Sequence, residues 1–249
     1  MPEDRPLDPS GKTALVTGAG QRIGRALALA LAEAGARVAV HYNSSGDAAA
    51  ETVGTIRALG GEAEAFQADL ADPARAAGLV PHIHATLGLV QVLVNNASLF
   101  GRKSLQETSA ADWDLYYAVN VRAPFLLAQA IAADLPAGST GKIINIGDWR
   151  TARRNRFPYG ASKAALSGLT RSLAYALAPG IQVNEIALGA ILPPADSGPE
   201  RARESQEPGE APAGRMGTLN EVAQAVLAMV HNDYITGERV RVDGGRHIL

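Results

Sequence analysis

The chain has 249 residues, 47% of them hydrophobic, enough to bury a sizeable core, and α/β chains of this length commonly fold as one domain. Its 23 Lys and Arg against 25 Asp and Glu give a formal net charge of −2. That charge supplies no broad basic field for nucleic acid or an anionic membrane, so a small molecule is the expected partner. The absence of cysteine excludes disulfides, thiolate catalysis and cysteine metal sites together, and no metal is expected.

The amino end, "MPEDRPLDPSGK", is acidic and proline-rich where a secretory signal would be basic and then apolar. Residues 1–10 read as a flexible leader, and no uncharged apolar run reaches transmembrane length, so the expected location is cytoplasmic. Over 11–249, short aliphatic or β-branched runs alternate with Ala/Leu-rich segments of helical period. That alternation predicts a single α/β domain, a Rossmann-type doubly wound parallel sheet of about seven strands with helices on both faces. The predicted strands are "KTALVTG", "ARVAVHY", "EAEAFQAD", "VQVLVNNA", "GKIINIG", "IQVNEIA" and "RVRVDGG".

The first strand runs into "TGAGQRIGRALALALAEAGARVAVHYNSS", which sets Gly18, Gly20 and Gly24, with Arg22 and Ile23 among them, in a turn and the first residues of a helix. Glycines there let the backbone approach a pyrophosphate, and the helix amino end offers unpaired N–H donors and a positive dipole. A glycine turn fixed only by packing is the alternative. The second strand ends "VHYNSS", without the Asp or Glu that usually holds a free ribose 2′-hydroxyl. His41, Ser44 and Ser45, with Tyr42 and Asn43 on the same turn, and Arg22 in the glycine loop, suit a 2′-phosphate, so NADPH rather than NADH is expected; a strand-end His41 that touches no ligand is the alternative.

Further along, "GDWRTARRNRFPYGASK" follows a β-like run and opens a helix. Tyr159 and Lys163, four residues apart, share a helix face, and a nearby ammonium is expected to lower the Tyr pKa toward working pH so that the phenol can exchange protons. Arg150, Arg153, Arg154 and Arg156 most simply form a solvated loop; alternatively one faces an anionic part of the substrate or an oligomer contact. Residues 193–215, rich in Pro, Gly and charge, read as a substrate lid or a disordered surface loop.

"TGAGQRIG", "ADL", "NNAS", "AVNVRAPF", "YGASKAAL" and "VDGG" stand in the order and spacing of the short-chain dehydrogenase/reductase family, which the chain resembles over roughly residues 11 to 245. The resemblance implies Asp69 and Leu70 near the adenine, Asn95 and Ala97 along the cofactor, Tyr159 and Lys163 at the nicotinamide ribose, and Asn120 completing a proton relay with Tyr159 and Lys163. It assigns Gly189 a loose cofactor contact and implies a homotetramer.

Two features depart from most of the family, and the first of them points to one branch. Asp148 stands where a catalytic Ser is usual, and the interval to Tyr159 is slightly short. With Arg22, "HYNSS", Phe100 after Ser98 and the ending "DGGRHIL", this resembles the pteridine reductase branch, including the bacterial dihydrofolate/dihydromonapterin reductase type. A ketone presents only acceptors, whereas a pterin presents ring N–H and amino donors beside imine nitrogens that must be protonated, which a carboxylate suits. Reduction of a dihydropterin or dihydrofolate C=N bond is therefore expected, with Asp148, Tyr159, Lys163 and Asn120 catalytic. Phe100 is expected to stack on the pterin, Ser98 and Arg22 to bond its edge or the cofactor phosphate. The rivals are a carbonyl or 3-oxoacyl reductase, an NADPH-binding sensor without catalysis, an Asp148 that merely caps a turn and a Phe100 that merely packs.

Overall fold

The computed structural model describes residues 7–193 and 211–249. Each strand is an aliphatic or β-branched run closed by turn residues: Thr13–Val16 (β1), Arg37–Tyr42 (β2), Ala63–Gln67 (β3), Val90–Asn95 (β4), Gly141–Asp148 (β5), Ile181–Leu188 (β6) and Arg239–Val242 (β7). Between them lie Arg22–Glu33 (α1), Gly46–Ala58 (α2), Pro73–Leu87 (α3), Ala110–Tyr117 (α4), Ala123–Asp134 (α5), Phe157–Leu177 (α6) and Leu219–Val230 (α7). All strands are parallel, in the order β3-β2-β1-β4-β5-β6-β7. The chain winds outward from β1 to β3, then returns to the centre at β4 and winds the other way. Successive connections thus leave the sheet in opposite directions beyond β1 and β4, and a crevice opens at their carboxyl ends.

Strand periodicity explains why helices cover both faces. Ala14, Val16, Val38, Val40, Val92, Val94, Ile144 and Ile146 point to one face, against Leu27 and Leu31 of α1 and Val222 and Val226 of α7. Their neighbours Leu15, Ala39, Leu93 and Ile143 point to the other, against Leu79 and Ile83 of α3 and Leu127 and Ile131 of α5. Each such fully buried Leu or Ile contributes about 1.5–3 kcal/mol, so both layers are needed to hold a sheet with no polar face. Among the described residues no helix is long and apolar enough to cross a membrane.

Part of the expected leader belongs to the domain. Leu7 is buried in the first core cluster, its N–H donates to Asp233 Oδ1 at 3.3 Å, and Pro9 O accepts from Lys12 N–H at 3.0 Å. An isolated leucine in an acidic, proline-rich stretch gives no periodic signal, which is why its burial was not legible. Of the expected lid, residues 194–210 lie outside the described residues. Its carboxyl end is tied down, with Ala213 N–H donating to Gly244 O at 3.0 Å.

Candidate active site

A cleft of about 410 Å³, within the size range of small-molecule sites, opens over the ends of β1 and β4. Of the residues expected on the cofactor, Gly18, Gly20, Arg22, Ile23, Gly24, His41, Tyr42, Asn43, Ser44, Ser45, Asp69, Leu70, Ala97 and Ser98 line it, and Phe100 closes one end. The glycines are required by close approach. Gly18 has φ +63°, and a Cβ on Gly24 would sit 2.6 Å from Asn96 Nδ2. At the start of α1, Gln21 makes no side-chain cap and no acid stands in the first turn. The N–H donors there remain available to an anion. Arg22 has φ +55°, left-handed backbone that costs a non-glycine residue about 1–2 kcal/mol, and its guanidinium donates to the Pro193 carbonyl across the mouth of the cleft.

Several side chains expected to face the ligand instead hold the main chain. His41 is buried; its Nδ1 accepts from Gly18 N–H at 3.1 Å and its Nε2 lies 3.0 Å from Ala68 O. Nδ1 must be unprotonated to accept, so Nε2 carries the proton and the ring is neutral. Burial pushes its pKa down to about 4, and the ring has no donor left for a phosphate. Asn95 is likewise turned inward, donating to Asn145 Oδ1 at 2.8 Å, and the cleft wall is formed by its neighbour Asn96. Gly189 is packed on β7, where a Cβ would meet Asp243 Cα at 2.6 Å, and it is not in the wall. Three scaffolding residues escaped the sequence reading. Thr17 Oγ1 accepts from the N–H groups of Asn96 and Ala97 at 2.9 and 3.0 Å, Asn96 Nδ2 donates to Thr17 O and Gly18 O, and Thr52 donates to Gly20 O. The tandem Asn95-Asn96 was the available signal, since only one can point into the sheet.

Beyond Phe100 stands a cluster of charged side chains. Asp148 ends β5 and is nearly buried, and its Oδ2 accepts from the Tyr159 hydroxyl at 2.8 Å. Tyr159 and Lys163 lie in the first two turns of α6, whose entry is set by Pro158. Both are buried and neither lines the cleft, although the resemblance places them on the cofactor. Lys163 Nζ donates to Ile146 O at 2.7 Å, and burial pushes its pKa down to about 8 against the pull of Asp148 and Glu185.

The expected lowering of the Tyr159 pKa is reversed. Burial, then the charge and hydrogen bond of Asp148, push it well above its ordinary value, opposed by Arg153 and Arg156, so the phenol is a proton donor. Asn120 is also redirected. It sits in a π-helical turn, Ala118–Arg122, and its amide bonds the Leu99 main chain and donates to Ser162 Oγ at 2.9 Å. It therefore fixes the segment before Phe100 rather than touching Tyr159 or Lys163.

The arginine loop is not simply solvated. Arg153 Nη2 lies 2.8 and 3.1 Å from the two Asp148 oxygens, and Arg150 N–H donates to Oδ1. Arg156 is buried; its guanidinium lies 3.6 Å from the Phe100 ring centroid and donates to Phe100 O. One face of Phe100 is thereby covered, and the ring meets Tyr159 in a T-shaped contact at 4.7 Å, which limits the stacking expected of it. Glu185, which the sequence reading passed over, is buried beneath Gly147; its Oε1 accepts from Arg239 Nε at 3.1 Å, and Arg239 also donates to the Asp148 carbonyl.

A family model described as enoyl-(acyl carrier protein) reductase matches residues 18–247. The chain is similar to the 3-oxoacyl-[acyl-carrier-protein] reductase FabG of Staphylococcus aureus, 34% identical over 242 residues that span 95% of this chain and 98% of the relative. Among solved structures it is similar to the FolM alternative dihydrofolate reductase 1 from Brucella canis complexed with NADP, with 37% identity, TM-score 0.91 and coverage of 97% of this chain and 96% of the other. It is also similar to a blue fluorescent protein from a metagenomic library in complex with NADPH, with 38% identity, TM-score 0.87 and coverage of 96% and 99%.

Proposed function

The chain belongs to the short-chain dehydrogenase/reductase family, and from that premise we propose that it is an NADPH-dependent reductase of a dihydropterin or dihydrofolate C=N bond. NADP(H) is the cofactor. The glycine cradle, the uncapped start of α1, the absence of an acid at the end of β2 and the strained Arg22 beside Ser44 and Ser45 fit a dinucleotide carrying a 2′-phosphate. When bound, it supplies a hydride.

The observation that carries the substrate class is the Tyr159 hydroxyl bonded to Asp148 where a hydroxyl residue is usual. A ketone oxygen accepts hydrogen bonds and repels a carboxylate, whereas a pterin edge donates to one. Tyr159, held neutral, delivers its proton, directly or through water, to the imine nitrogen as the adjoining carbon is reduced. The resulting phenolate faces Asp148, and that repulsion, moderated by Arg153 and Arg156, favours its recapture of a proton. Asn120, through Leu99, sets the wall in front of this pair. The similarity to an alternative dihydrofolate reductase supports the same reading. A homotetramer, as the family resemblance implies, and a cytoplasmic location are part of the proposal.

The specific observation favouring a second reading, reduction of a 3-oxoacyl thioester, is the comparable identity to FabG. Assay of NADPH oxidation with 7,8-dihydropterins, dihydrofolate and acetoacetyl thioesters separates them. The expected result is turnover of a dihydropterin or dihydrofolate, lost at least tenfold in Asp148→Ser. Thioester turnover that Asp148→Ser preserves or increases would sink the pterin assignment. No turnover of any of these, unchanged in Tyr159→Phe, would favour a nucleotide sensor.

A further inference from the structure

Every hydrogen-bonding direction of Asp148 is taken by the protein itself. Oδ1 accepts from Arg150 N–H and Arg153 Nη2, both at 2.8 Å, and Oδ2 accepts from the Tyr159 hydroxyl at 2.8 Å and from the same Arg153 nitrogen at 3.1 Å. A carboxylate offers about four lone-pair sites. A substrate that uses this carboxylate must therefore displace a donor. Arg150 N–H is main chain and Tyr159 is buried, whereas the Arg153 side chain is 26% exposed against 9% for Asp148. Arg153 is the donor with somewhere to go.

Its hold is also the least well formed. A single terminal nitrogen straddles both oxygens, and the side-on pairing of Nε and Nη2 is not made because Arg153 Nε is committed to Arg150 O at 2.9 Å. Two parallel N–H···O bonds are the stronger arrangement. We propose that Arg153 is a displaceable internal ligand of Asp148, occupying the carboxylate that a planar cyclic guanidine, the 2-amino-4-oxopyrimidine edge of a pterin, takes on binding. The inference rests on the pterin reading for its natural ligand, and on the geometry of Asp148 for the exchange itself.

In the complex the exchange replaces the charged guanidinium of Arg153 by a neutral cyclic guanidine while Arg150 N–H and the Tyr159 hydroxyl stay in place, so the bound carboxylate is not stripped of partners, a state that would be strongly unfavourable. Arg153 returns to water. A ketone brings no donors and leaves Arg153 in place, so the arginine selects between the two substrate classes. It also weakens apparent affinity by the fraction of molecules with Asp148 free. If that fraction is about one in ten, the apparent Kd is about tenfold above the intrinsic value.

The test is calorimetric titration of NADP-loaded protein with a 7,8-dihydropterin and with methylguanidinium, for wild type, Arg153→Met and Arg153→Lys. Dihydropterin is expected to bind Arg153→Met at least tenfold more tightly than wild type, with Arg153→Lys between them and KM falling in parallel. Methylguanidinium is expected to bind Arg153→Met, compete with dihydropterin there, and lose that binding in Arg153→Met/Asp148→Asn. Unchanged or weaker dihydropterin binding in both single variants, or a loss of kcat at constant KM, overturns the inference and makes Arg153 a fixed positioning residue. Should Arg153→Met fail to fold, Arg153→Lys decides: its shorter side chain, ending in a single ammonium, competes less well for Asp148, so this variant must still bind dihydropterin more tightly than wild type does. The two readings fail separately. Wild type that reduces no dihydropterin removes the substrate assignment, and methylguanidinium binding still decides the exchange.

Discussion

The cleft and the charged cluster beyond Phe100, the two ends of the site, are built from different material. At the β1–β2 end glycine main chain lines the cleft, and the polar side chains around it, His41, Thr17, Asn96 and Thr52, bond that main chain and hold it in place. At the β5–α6 end the side chains meet one another: Asp148, Tyr159 and Arg153 are directly bonded, with Lys163 and Glu185 buried alongside. A glycine turn can be recognised from residue types because its function is a backbone shape. A cluster of compensating charges cannot, because each member's role depends on which neighbour reaches it.

The largest effect that would test this division is Tyr159→Phe. Removing the buried donor should lower kcat by about 10²–10⁴, about 3–5 kcal/mol of barrier, the range expected of a general acid. NADPH affinity should stay within threefold of wild type, because Tyr159 is not in the cleft wall. Steady-state kinetics and a fluorescence titration of NADPH check the two parts. A comparable loss of cofactor affinity would mean that the two ends are one unit.

The same division governs what was legible beforehand. All seven strands follow from aliphatic runs closed by Gly, Asn or Asp, since hydrophobic period and turn chemistry are local. Tyr159 and Lys163 were found by helical spacing for the same reason. His41 was misread because a strand-end histidine can face the ligand or the next strand, and only the packing at Ala68 decides. The Tyr159 pKa departs from the expected direction because the hydroxyl is buried and meets Asp148, eleven residues away, while Lys163, sequence-near, donates to Ile146 O. Arg153 looked solvated because nothing in "RTARRNR" says which arginine the loop folds back onto Asp148.

His41 gives the next largest effect and tests whether the cofactor end is held by a neutral ring. Its pKa lies at about 4 in the folded chain and 6.5 ordinarily, so the unfolded chain binds the extra proton first as pH falls. The stabilisation is complete above about pH 6.5 and is lost as pH falls toward 4, by at most about 3 kcal/mol. His41→Asn keeps an acceptor near the Nδ1 position and removes the titration. It should cost about 1 kcal/mol at pH 7.5 for the lost Ala68 bond, and less than wild type loses between pH 6.5 and 4.5 in urea unfolding. Parallel stability profiles would show that the ring is not held neutral, and the inward-facing account of that end would fail.

Phe100 stands where the two ends meet, and its replacement gives the smallest effect. As a stacking platform it would lose substrate affinity on conversion to Leu, with stability unchanged. The geometry favours a strut, with Arg156 over one face at 3.6 Å and Tyr159 in T-shaped contact at 4.7 Å. An aromatic pair and a cation–π contact of this kind together contribute about 1–2 kcal/mol. Phe100→Leu should therefore lower stability by about 1 kcal/mol in urea unfolding, partly offset because leucine refills most of the space. KM for a dihydropterin should rise less than threefold, with the larger change in kcat as Tyr159 loses its support. A KM rise of tenfold or more at constant kcat and unchanged stability would return Phe100 to the role of platform, and would require the face beneath Arg156 to open when substrate binds.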